Sequence, residues 1–372
     1  MKLAELRWIS YEVPFRHVFK TAHDPWRRRE GAFVRVVTDT GVAGAGEVAP
    51  LPSHGTLSLR DLLAALEREA PHLLGRDIDS LGDVDRLGTD AKLAPLRCAL
   101  ETAAVDAMAR TEGMPAAVLL AGGAASRVRV HAVVDALRTW EAVDAAAQAV
   151  AKGFRTLKLK AGAEPTLAEE VTRVAAVRDA IGPGIRLRLD VNGAWSERGA
   201  IETLRALDGC AIDLVEQPVP ARDIGALARV RSAVPQAIAA DESVTGLDAA
   251  RALIDQKAVD AIVLKLPVVG GPLQAMEIAR LAHAAGVGVI VTSAFDAGIG
   301  VAAALHVAAA TARPTVACGL ATLELLEDDL IDPGLPVESG TMRLPSWPGL
   351  GTGIDEQALA RYATTAESVI QA

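Results

Sequence analysis

Apolar and polar residues alternate in short runs along the first 50 residues of the chain. The runs cover residues 3–13 and 32–38, and a Thr40-Gly41 turn follows the second run. Because successive side chains of a strand point to opposite faces, this pattern predicts an antiparallel sheet with one buried face. The polar segment 21–31, which contains Pro25 and three arginines, is predicted to be a loop between the strands.

Two later segments, residues 57–76 and 94–121, repeat apolar residues at helical spacing instead. Leu62 and Leu66 illustrate this in the first segment, and Leu100 and Met108 in the second. Such spacing predicts helices that pack one face against the sheet. Residues 1–125 are therefore predicted to form a small α+β domain.

From residue 126 onward, short apolar runs alternate with alanine-rich helical segments. The eight runs are residues 128–134, 156–160, 186–191, 213–216, 237–241, 261–266, 287–292 and 315–318. Nearly continuous apolar strands separated by helices are typical of parallel sheets that are covered on both faces. The predicted fold class is therefore α/β, a modified TIM (β/α)-barrel of residues 126–322 with an N-terminal α+β capping domain. The proline-containing segment 323–372 is predicted to leave the barrel and to complete the capping domain.

Composition narrows the range of partners. The chain has 372 residues, of which 51% are hydrophobic, and its formal net charge is −9. This charge argues against binding to nucleic acid or to an anionic membrane surface, because both require clustered Lys and Arg. Three distant cysteines and a charged N-terminal segment favour a cytoplasmic protein. The expected partner is a small-molecule carboxylate, and the sequence leaves open whether the chain forms a homo-oligomer.

Three acidic residues end consecutive predicted strands, and this is the strongest chemical signal. Asp190, Glu216 and Asp241 are spaced by about one βα unit each. Parallel strands bring their carboxyl ends to one rim of a barrel, which is where barrel enzymes place their sites. Three carboxylates at one rim repel each other unless a cation binds them, and hard oxygen ligands suit Mg²⁺, with Mn²⁺ as an alternative. The other interpretation is that each acid caps a helix or contacts a loop.

Lysines flank these acids. Lys158 and Lys160 end the second predicted strand and point to the same side, while Lys265 ends the sixth. The chain has only eight Lys among 38 basic residues, and Lys, unlike Arg, can lose its proton and act as a general base. A cation that holds a substrate carboxylate makes the α-proton more acidic, so one lysine would take this proton and the opposite one would stabilise charge or return a proton. Taken singly, each lysine could instead be an ordinary surface side chain.

At these residues the sequence resembles the muconate-lactonizing subgroup of the enolase superfamily. The matching motifs are Lys158-Leu-Lys160, Asp190-Val-Asn192-Gly193, Glu216-Gln217-Pro218, Asp241-Glu242-Ser243, and Lys265 followed by Gly270-Gly271. The resemblance implies that Asp190, Glu216 and Asp241 bind Mg²⁺ and that Lys160 abstracts the proton. It also implies that Lys265 faces Lys160 across the substrate, that Lys158 tunes Lys160, and that Asn192 supports the metal site.

Within that subgroup, further motifs resemble the o-succinylbenzoate synthase family. They are Arg29-Glu30-Gly31, Gly46-Glu47 with Pro50-Leu51-Pro52, Ser293-Ala-Phe-Asp296 with Gly300, and Cys318-Gly319-Leu320-Ala-Thr322. The implied reaction, a step of menaquinone biosynthesis, is the dehydration of 2-succinyl-6-hydroxy-2,4-cyclohexadiene-1-carboxylate to o-succinylbenzoate. Ser293, Asp296 and Gly319 would then lie on the substrate side of the site.

Three positions depart from the family pattern. Many members of the subgroup have Glu where Asp296 stands, members that racemise N-acylamino acids often have Arg where Val268 stands, and the family usually has Gly where Ala321 stands. An N-acylamino acid racemase or dipeptide epimerase and a muconate-type cycloisomerase therefore remain alternative functions. A nucleotide-dependent oxidoreductase is disfavoured, because no acidic strand end follows Gly298-Ile-Gly300. A binding protein on the same fold would be expected to have lost one of the acids or lysines.

Five other polar or aromatic positions have weaker interpretations. Trp26 is predicted to wall off the substrate, because barrel sites need a cover that excludes water. The loop histidines His17, His23 and His54 are predicted to be exposed to solvent rather than to gate the substrate. His131, near the first barrel strand, is predicted to be a buried polar group with its hydrogen bonds satisfied.

Overall fold

The structure, a computed structural model, describes residues 1–20, 25–85, 91–136, 138–311 and 316–372. Its first domain is built on an antiparallel sheet of three long strands, β1 (Leu3–Lys20), β2 (Pro25–Thr38) and β3 (Ala43–Val48). The predicted antiparallel sheet is therefore confirmed. The loop predicted at 21–31 is wrong from Pro25 onward, because pairing with β1 satisfies the backbone of this polar segment, as in the pair Val13 and Arg29. Residues 21–24 lie outside the described residues.

Four helices complete the first part of the capping domain: α1 (Leu59–Leu73), α2 (Leu81–Asp85), α3 (Ala94–Thr111) and α4 (Ala116–Ala121). Helix α3 crosses the sheet and packs closely on β3. A Cβ on Gly44 or Gly46 would lie about 2 Å from backbone oxygens of α3, so only glycine permits this close packing. The predicted helical segments are confirmed, with a break between α3 and α4 before Pro115.

The second domain contains the parallel strands of the predicted barrel. Its strands are β4 (Arg127–Arg129), β5 (Ala132–Val134), β6 (Thr156–Lys160), β7 (Arg186–Asp190), β8 (Ile212–Glu216), β9 (Ala237–Ala240), β10 (Ala261–Lys265) and β11 (Gly288–Thr292). Strands β5 to β11 form one parallel sheet in chain order. The sheet curls, and parallel bridges from Cys318 to Val130 and from Gly319 to Thr292 link its two edges. The α/β class and the modified barrel are thus confirmed.

Two details of the predicted strands are wrong. The run 128–134 is divided, because β4 turns away and pairs antiparallel with a C-terminal strand at Thr341–Arg343 while only β5 joins the barrel. The eighth run, 315–318, is not a strand in its described part. It contributes single bridge residues, Cys318 and Gly319, whose backbone bonds to both neighbours still close the curl. Residue 315 lies outside the described residues.

Helices cover the outside of this sheet: α5 (Thr139–Ala151), α6 (Leu167–Ile181), α7 (Glu197–Ala206), α8 (Ile224–Ala233), α9 (Leu247–Asp255), α10 (Leu266–Val269), α11 (Pro272–Ala284) and α12 (Gly298–Thr311). Side chains of Thr166, Ser196 and Asp223 accept backbone N–H groups at the starts of α6, α7 and α8, which fixes where these helices begin. Since the strands are parallel, their C-terminal ends meet at one rim.

The C-terminal segment contains β12 (Ile331–Asp332), β13 (Val337–Glu338), β14 (Thr341–Arg343), β15 (Gly353–Ile354), α13 (Glu356–Tyr362) and β16 (Ser368–Gln371). Strand β16 pairs with β1, so the chain returns to the first sheet, whereas β14 pairs with β4. The domain boundaries at residues 125 and 322 stay a prediction. Among the described residues, no helix combines the length and the apolar character that a membrane crossing requires.

Candidate active site

The three carboxylates that the sequence singled out lie at one rim of the curled sheet. Asp190 and Glu216 are the last residues of β7 and β8 and pair with each other in register, and Asp241 directly follows β9. All three are at most 3% exposed. The pairing of neighbouring parallel strands therefore brings together acids that are far apart in sequence.

Three lysines hold these carboxylates. Lys158 Nζ lies 2.8 Å from Asp190 Oδ2 and 2.9 Å from Glu216 Oε1. Lys160 Nζ donates to Asp190 Oδ2 at 2.7 Å and to Asn192 Oδ1 at 2.8 Å. Both lysines stand on β6, on one flank of the acidic tips.

The third lysine stands on the other flank. Lys265 ends β10, and its Nζ donates to the carboxylate of Asp241. The same ammonium lies 2.8 Å from His54 Nε2. In the sheet order the tips of β7, β8 and β9 separate the lysines of β6 from Lys265, so amines face the cavity from opposite sides.

Burial and neighbouring charge shift the pKa values of this cluster in opposite directions. Burial and the repulsion of Asp190 and Asp241 raise the pKa of Glu216 to about 7 despite the ammonium of Lys158. Burial alone would lower the pKa of Lys158, but the carboxylates of Asp190 and Glu216 outweigh it and raise this pKa. Burial likewise opposes ionisation of Asp190, yet Lys158 and Lys160 hold its pKa below the ordinary value. Lys158 therefore remains an ammonium ion between the two carboxylates.

A fourth carboxylate, Glu242, adds an uncommitted oxygen to the rim. Its Oε1 accepts from Asn192 Nδ2 at 2.8 Å, and its buried Oε2 has no hydrogen-bond partner among the described residues. Burial and the charge of Asp241 raise its pKa. A buried carboxylate oxygen without a partner, next to three further acids, is a setting that a divalent cation would stabilise. The donor set of this rim therefore fits a hard divalent cation.

The closest group of candidate ligands is not the predicted trio. Within the described residues, the side-chain atoms of His54, Asp241 and Glu242 all lie within 4.8 Å of one another, which the atoms of Asp190, Glu216 and Asp241 do not. The ammonium of Lys158 hydrogen-bonds both Asp190 and Glu216.

His54 is a site residue that the sequence analysis misplaced. It ends a one-turn 3₁₀ helix, Pro52–His54, in the loop after β3, and its side chain is only 9% exposed. The predicted exposure is therefore wrong for His54, because the loop folds over the barrel rim and reaches Lys265. His17 is exposed as predicted, and His23 lies outside the described residues. The proline before His54 and the left-handed Gly55 after it mark a compact turn, but nothing local indicates its distant contact.

A cavity of about 760 Å³, including its open mouth, lies above the rim. Its lining includes Lys158, Lys160, Asp190, Asn192, Asp241 and Lys265, together with His131, Thr292, Ser293, Gly319 and Thr322. Ser293 and Gly319 thus line the cavity, and so does Thr322, whose hydroxyl oxygen lies 2.7 Å from that of Ser293 and which the sequence analysis did not single out as a site residue. Asp296 is buried outside this lining, and one of its oxygens accepts the backbone N–H of Ala294.

An aromatic wall closes the cavity on the side of the capping domain. Trp26 lines the cavity, with its ring centroid 5.7 Å from that of Phe295. The buried guanidinium of Arg29 lies 5.8 Å from the Trp26 ring and donates to the carbonyls of Phe295 and Pro50, at 3.0 and 2.7 Å. Arg29 therefore ties together β2, the loop after β3 and the end of β11, and holds Trp26 in the position predicted for it.

His131 also differs from its prediction. It is buried, and neither ring nitrogen makes a hydrogen bond of normal geometry with the described residues, although the carbonyl of Ala317 affects its pKa. The predicted satisfied polar group is therefore not observed. The ring lines the cavity beside Gly319, and a Cβ on Gly319 would lie 3.1 Å from Nε2.

Comparison with known proteins agrees with this architecture. Residues 141–358 match the family described as "Enolase C-terminal domain-like", and residues 4–121 match "Mandelate racemase / muconate lactonizing enzyme, N-terminal domain". The chain is 31% identical over 358 residues to the L-Ala-D/L-Glu epimerase of Bacillus subtilis (strain 168), a match that covers 94% of this chain and 96% of that protein.

Two further proteins extend the comparison. The chain is 42% identical over 212 residues to the o-succinylbenzoate synthase of Thermobifida fusca (strain YX), covering 56% of this chain and 64% of that protein. It superposes on the N-succinyl Arg/Lys racemase from Bacillus cereus ATCC 14579 with a TM-score of 0.93, at 26% identity and over 100% of both chains. More than half of the sequence lies within the matched C-terminal family, and the N-terminal match covers the capping sheet. The chain therefore belongs to the enolase superfamily of enzymes, with the N-terminal domain of its mandelate racemase / muconate lactonizing group.

Proposed function

We propose that the protein is a magnesium-dependent o-succinylbenzoate synthase, which dehydrates 2-succinyl-6-hydroxy-2,4-cyclohexadiene-1-carboxylate to o-succinylbenzoate. The observation that carries the proposal is the placement of Lys160 and Lys265 on opposite flanks of buried carboxylates that face one cavity. The 42% identity to the Thermobifida fusca synthase supports this substrate over the others.

Asp190, Glu216 and Asp241 would hold the cation. They are hard oxygen donors on or directly after three adjacent parallel strands, and burial together with the charges of Asp190 and Asp241 raises the pKa of Glu216, which a cation would offset. Mn²⁺ would serve as a substitute. A divalent cation there would bind the substrate carboxylate and stabilise the negative charge that develops on it when the neighbouring carbon loses its proton.

Lys160 takes that proton in the proposed reaction. In the free protein, Asp190 Oδ2 and Asn192 Oδ1 fix its amine at the cavity wall, so the amine is already positioned before substrate binds. The C–H bond breaks and leaves its electron pair on the substrate. The C–OH bond then breaks as Lys160 returns the proton to the departing hydroxyl, which leaves as water while the ring becomes aromatic. The ammonium of Lys265, on the other flank, stabilises the negative charge.

A second candidate function is epimerisation of a dipeptide or an N-acylamino acid. The full-length match to the Bacillus subtilis epimerase favours it, as does the geometry. Lys160 would take the α-proton from one face, and Lys265 would deliver a proton to the other. A muconate-type cycloisomerase would use the same rim residues.

The direct experiment is to supply the cyclohexadiene carboxylate with Mg²⁺ and to follow aromatisation by ultraviolet absorbance. In parallel, L-Ala-D/L-Glu and N-acylamino acids are incubated in D₂O, and deuterium incorporation at the α-carbon is measured. Aromatisation at an enzymatic rate is the expected result. No aromatisation, together with α-exchange on a dipeptide or N-acylamino acid, would replace the synthase with the epimerase.

A further inference from the structure

The starting point is the buried ring of His131, whose two nitrogens lack hydrogen-bond partners among the described residues. The residue is 3% exposed and lines the cavity next to Gly319. The other well-buried histidine, His306, shows the contrast. It accepts from the backbone N–H of Ala117 at 3.0 Å, and its other ring nitrogen lies 3.0 Å from the carbonyl oxygen of Leu350. His306 is a structural histidine, whereas His131 leaves its hydrogen-bonding capacity free towards the cavity.

An unsatisfied buried polar group is unfavourable for folding, so its presence calls for a partner that arrives from outside the protein. A neutral imidazole offers one donor and one acceptor. The backbone carbonyl of Ala317 lies near enough to His131 to affect its pKa, but neither ring nitrogen makes a hydrogen bond of normal geometry with the described residues. Burial, together with the charges of Lys158 and Arg188, holds the pKa of His131 well below its ordinary value. The ring is therefore neutral and can turn an N–H towards an oxygen atom.

The ring lies beside the acidic rim, on the flank that carries Lys158. His131 directly precedes β5, which pairs with β6, and Gly319 bridges back to β11 at the other edge of the sheet. The charges of Lys158 and Asp190 reach the ring, so a substrate whose carboxylate binds at the rim would meet His131 if its distal arm lay along β5.

The charges around His131 select the chemistry of that distal arm. Uncharged residues of the same cavity include Ser293 and Thr322, whose hydroxyls are hydrogen-bonded to each other. The charged groups that reach His131 electrostatically are the cations Lys158 and Arg188 and, with a smaller effect, the carboxylate of Asp190. This balance favours an oxygen with partial or full negative charge over an ammonium or guanidinium group.

We propose that His131 is a specificity-determining residue that hydrogen-bonds an acyl or carboxyl oxygen in the distal arm of the substrate. The inference rests on the proposed function, since it assumes that the substrate carboxylate occupies the rim of Asp190, Glu216 and Asp241. It adds the residue that would recognise the oxygen-bearing succinyl arm of that substrate.

The test compares two stable ligands that share a ring carboxylate and differ only in the arm, o-succinylbenzoate and 2-pentylbenzoate. Their binding is measured by calorimetry with Mg²⁺ present, using wild-type protein, His131→Leu and His131→Gln. We expect His131→Leu to bind o-succinylbenzoate about 10- to 100-fold more weakly, the cost of one or two polar interactions, and 2-pentylbenzoate with little change. His131→Gln, which keeps an N–H donor, should recover part of the loss.

A stability measurement separates this role from a structural one. His131→Leu removes two unsatisfied polar atoms and should leave the melting temperature unchanged or raise it. The matched control, His306→Leu, leaves a backbone N–H and a carbonyl without their hydrogen-bond partner. It should lower the melting temperature by about 2–4 °C or more. If His131→Leu destabilises the protein as much as the control does, or binds o-succinylbenzoate like the wild type, the inference is overturned. Turnover of the cyclohexadiene carboxylate by both proteins would then show that the proposed function still stands, whereas a wild-type protein that neither binds nor turns over would overturn both.

Discussion

Buried carboxylates occur in two clusters that can be compared, and the groups that stabilise their negative charge differ. At the barrel rim, Asp190, Glu216 and Asp241 are held by lysine ammonium groups beside a cavity. Between the capping domain and the barrel, Glu47 accepts from the Tyr11 hydroxyl at 2.5 Å and from the backbone N–H groups of Ala297 and Gly300, both at 2.8 Å.

The difference separates a reactive site from a structural clamp. Both oxygens of Glu47 are bonded to the protein, and the partners Ala297 and Gly300 lie at the start of α12, where the helix dipole also favours a negative charge. At the rim, by contrast, the partners are lysine side chains, and one oxygen of Glu242 has no partner among the described residues. Burial and a raised pKa are common to both clusters, so neither property alone identifies a catalytic site. The rim differs in facing an open cavity.

The largest expected effect follows from replacing the amine at the rim. Lys160→Arg keeps a positive charge near Asp190 but cannot take a proton at neutral pH. We expect kcat/KM to fall by about 10²- to 10⁴-fold, the usual contribution of a general base, while circular dichroism and melting temperature stay close to wild type. Lys152→Arg, at an exposed lysine paired with Glu324, is the matched control and should keep full activity. Substantial residual activity in Lys160→Arg would remove Lys160 from the role of base.

Mutations at the structural clamp around Glu47 should change the stability of the protein rather than its catalytic rate. Tyr11→Phe deletes the hydroxyl that donates to buried Glu47, and a buried acceptor that loses its donor costs about 1–3 kcal/mol of unfolding free energy. Chemical denaturation should show this loss, and kcat of the folded variant should change less than twofold. A large drop in kcat without a loss of stability would instead place Glu47 within the catalytic machinery.

The pH dependence of stability gives a smaller effect with a defined sign. Burial and the nearby charge of Asp296 raise the pKa of Glu47 from 4.5 to about 7, so the folded protein retains a proton that the unfolded chain releases. The stabilisation is complete below about pH 4.5 and is lost as the pH rises towards 7, with a total on the order of 1–3 kcal/mol.

Denaturation curves at pH 5 and pH 8 measure this loss. Glu101 also has a pKa raised by burial to about 7, and Glu216 behaves similarly without a cation, so the wild-type change includes all three acids. The informative quantity is the difference between wild type and Glu47→Gln. The variant should show a shallower decline, and an identical decline would mean that Glu47 is not protonated in the folded protein.

The acidic rim could be predicted from the sequence because its residues lie at the ends of strands. Asp190, Glu216 and Lys265 each terminate an apolar run, and the parallel βα order forces these ends to a common rim. The same local pattern predicted the barrel, although it merged β4 with β5, since the partner of β4 is a C-terminal strand more than 200 residues away.

The other side of the cavity could not be predicted in this way. His54 reaches Lys265 through a loop of the capping domain, and His131 is notable only for partners that it lacks. Contacts between distant segments and missing hydrogen bonds leave no periodic pattern in a sequence. A general argument about excluding water singled out Trp26, and the structure shows that Trp26 lines the cavity, but the contact of Arg29 with its ring became visible only in the structure.

The most direct test of the difference between the two clusters is the binding of Mn²⁺ to protein freed of metal by chelation, measured by electron paramagnetic resonance. The wild-type protein should bind one Mn²⁺ per chain, and Glu216→Gln should bind it at least about 100-fold more weakly, because a neutral amide replaces a charged hard ligand. Glu47→Gln, at the sealed cluster, should bind like wild type. If Glu216→Gln keeps wild-type affinity, while Glu242→Gln loses it, the cation belongs to the group of His54, Asp241 and Glu242, and the central assignment of Asp190, Glu216 and Asp241 is contradicted.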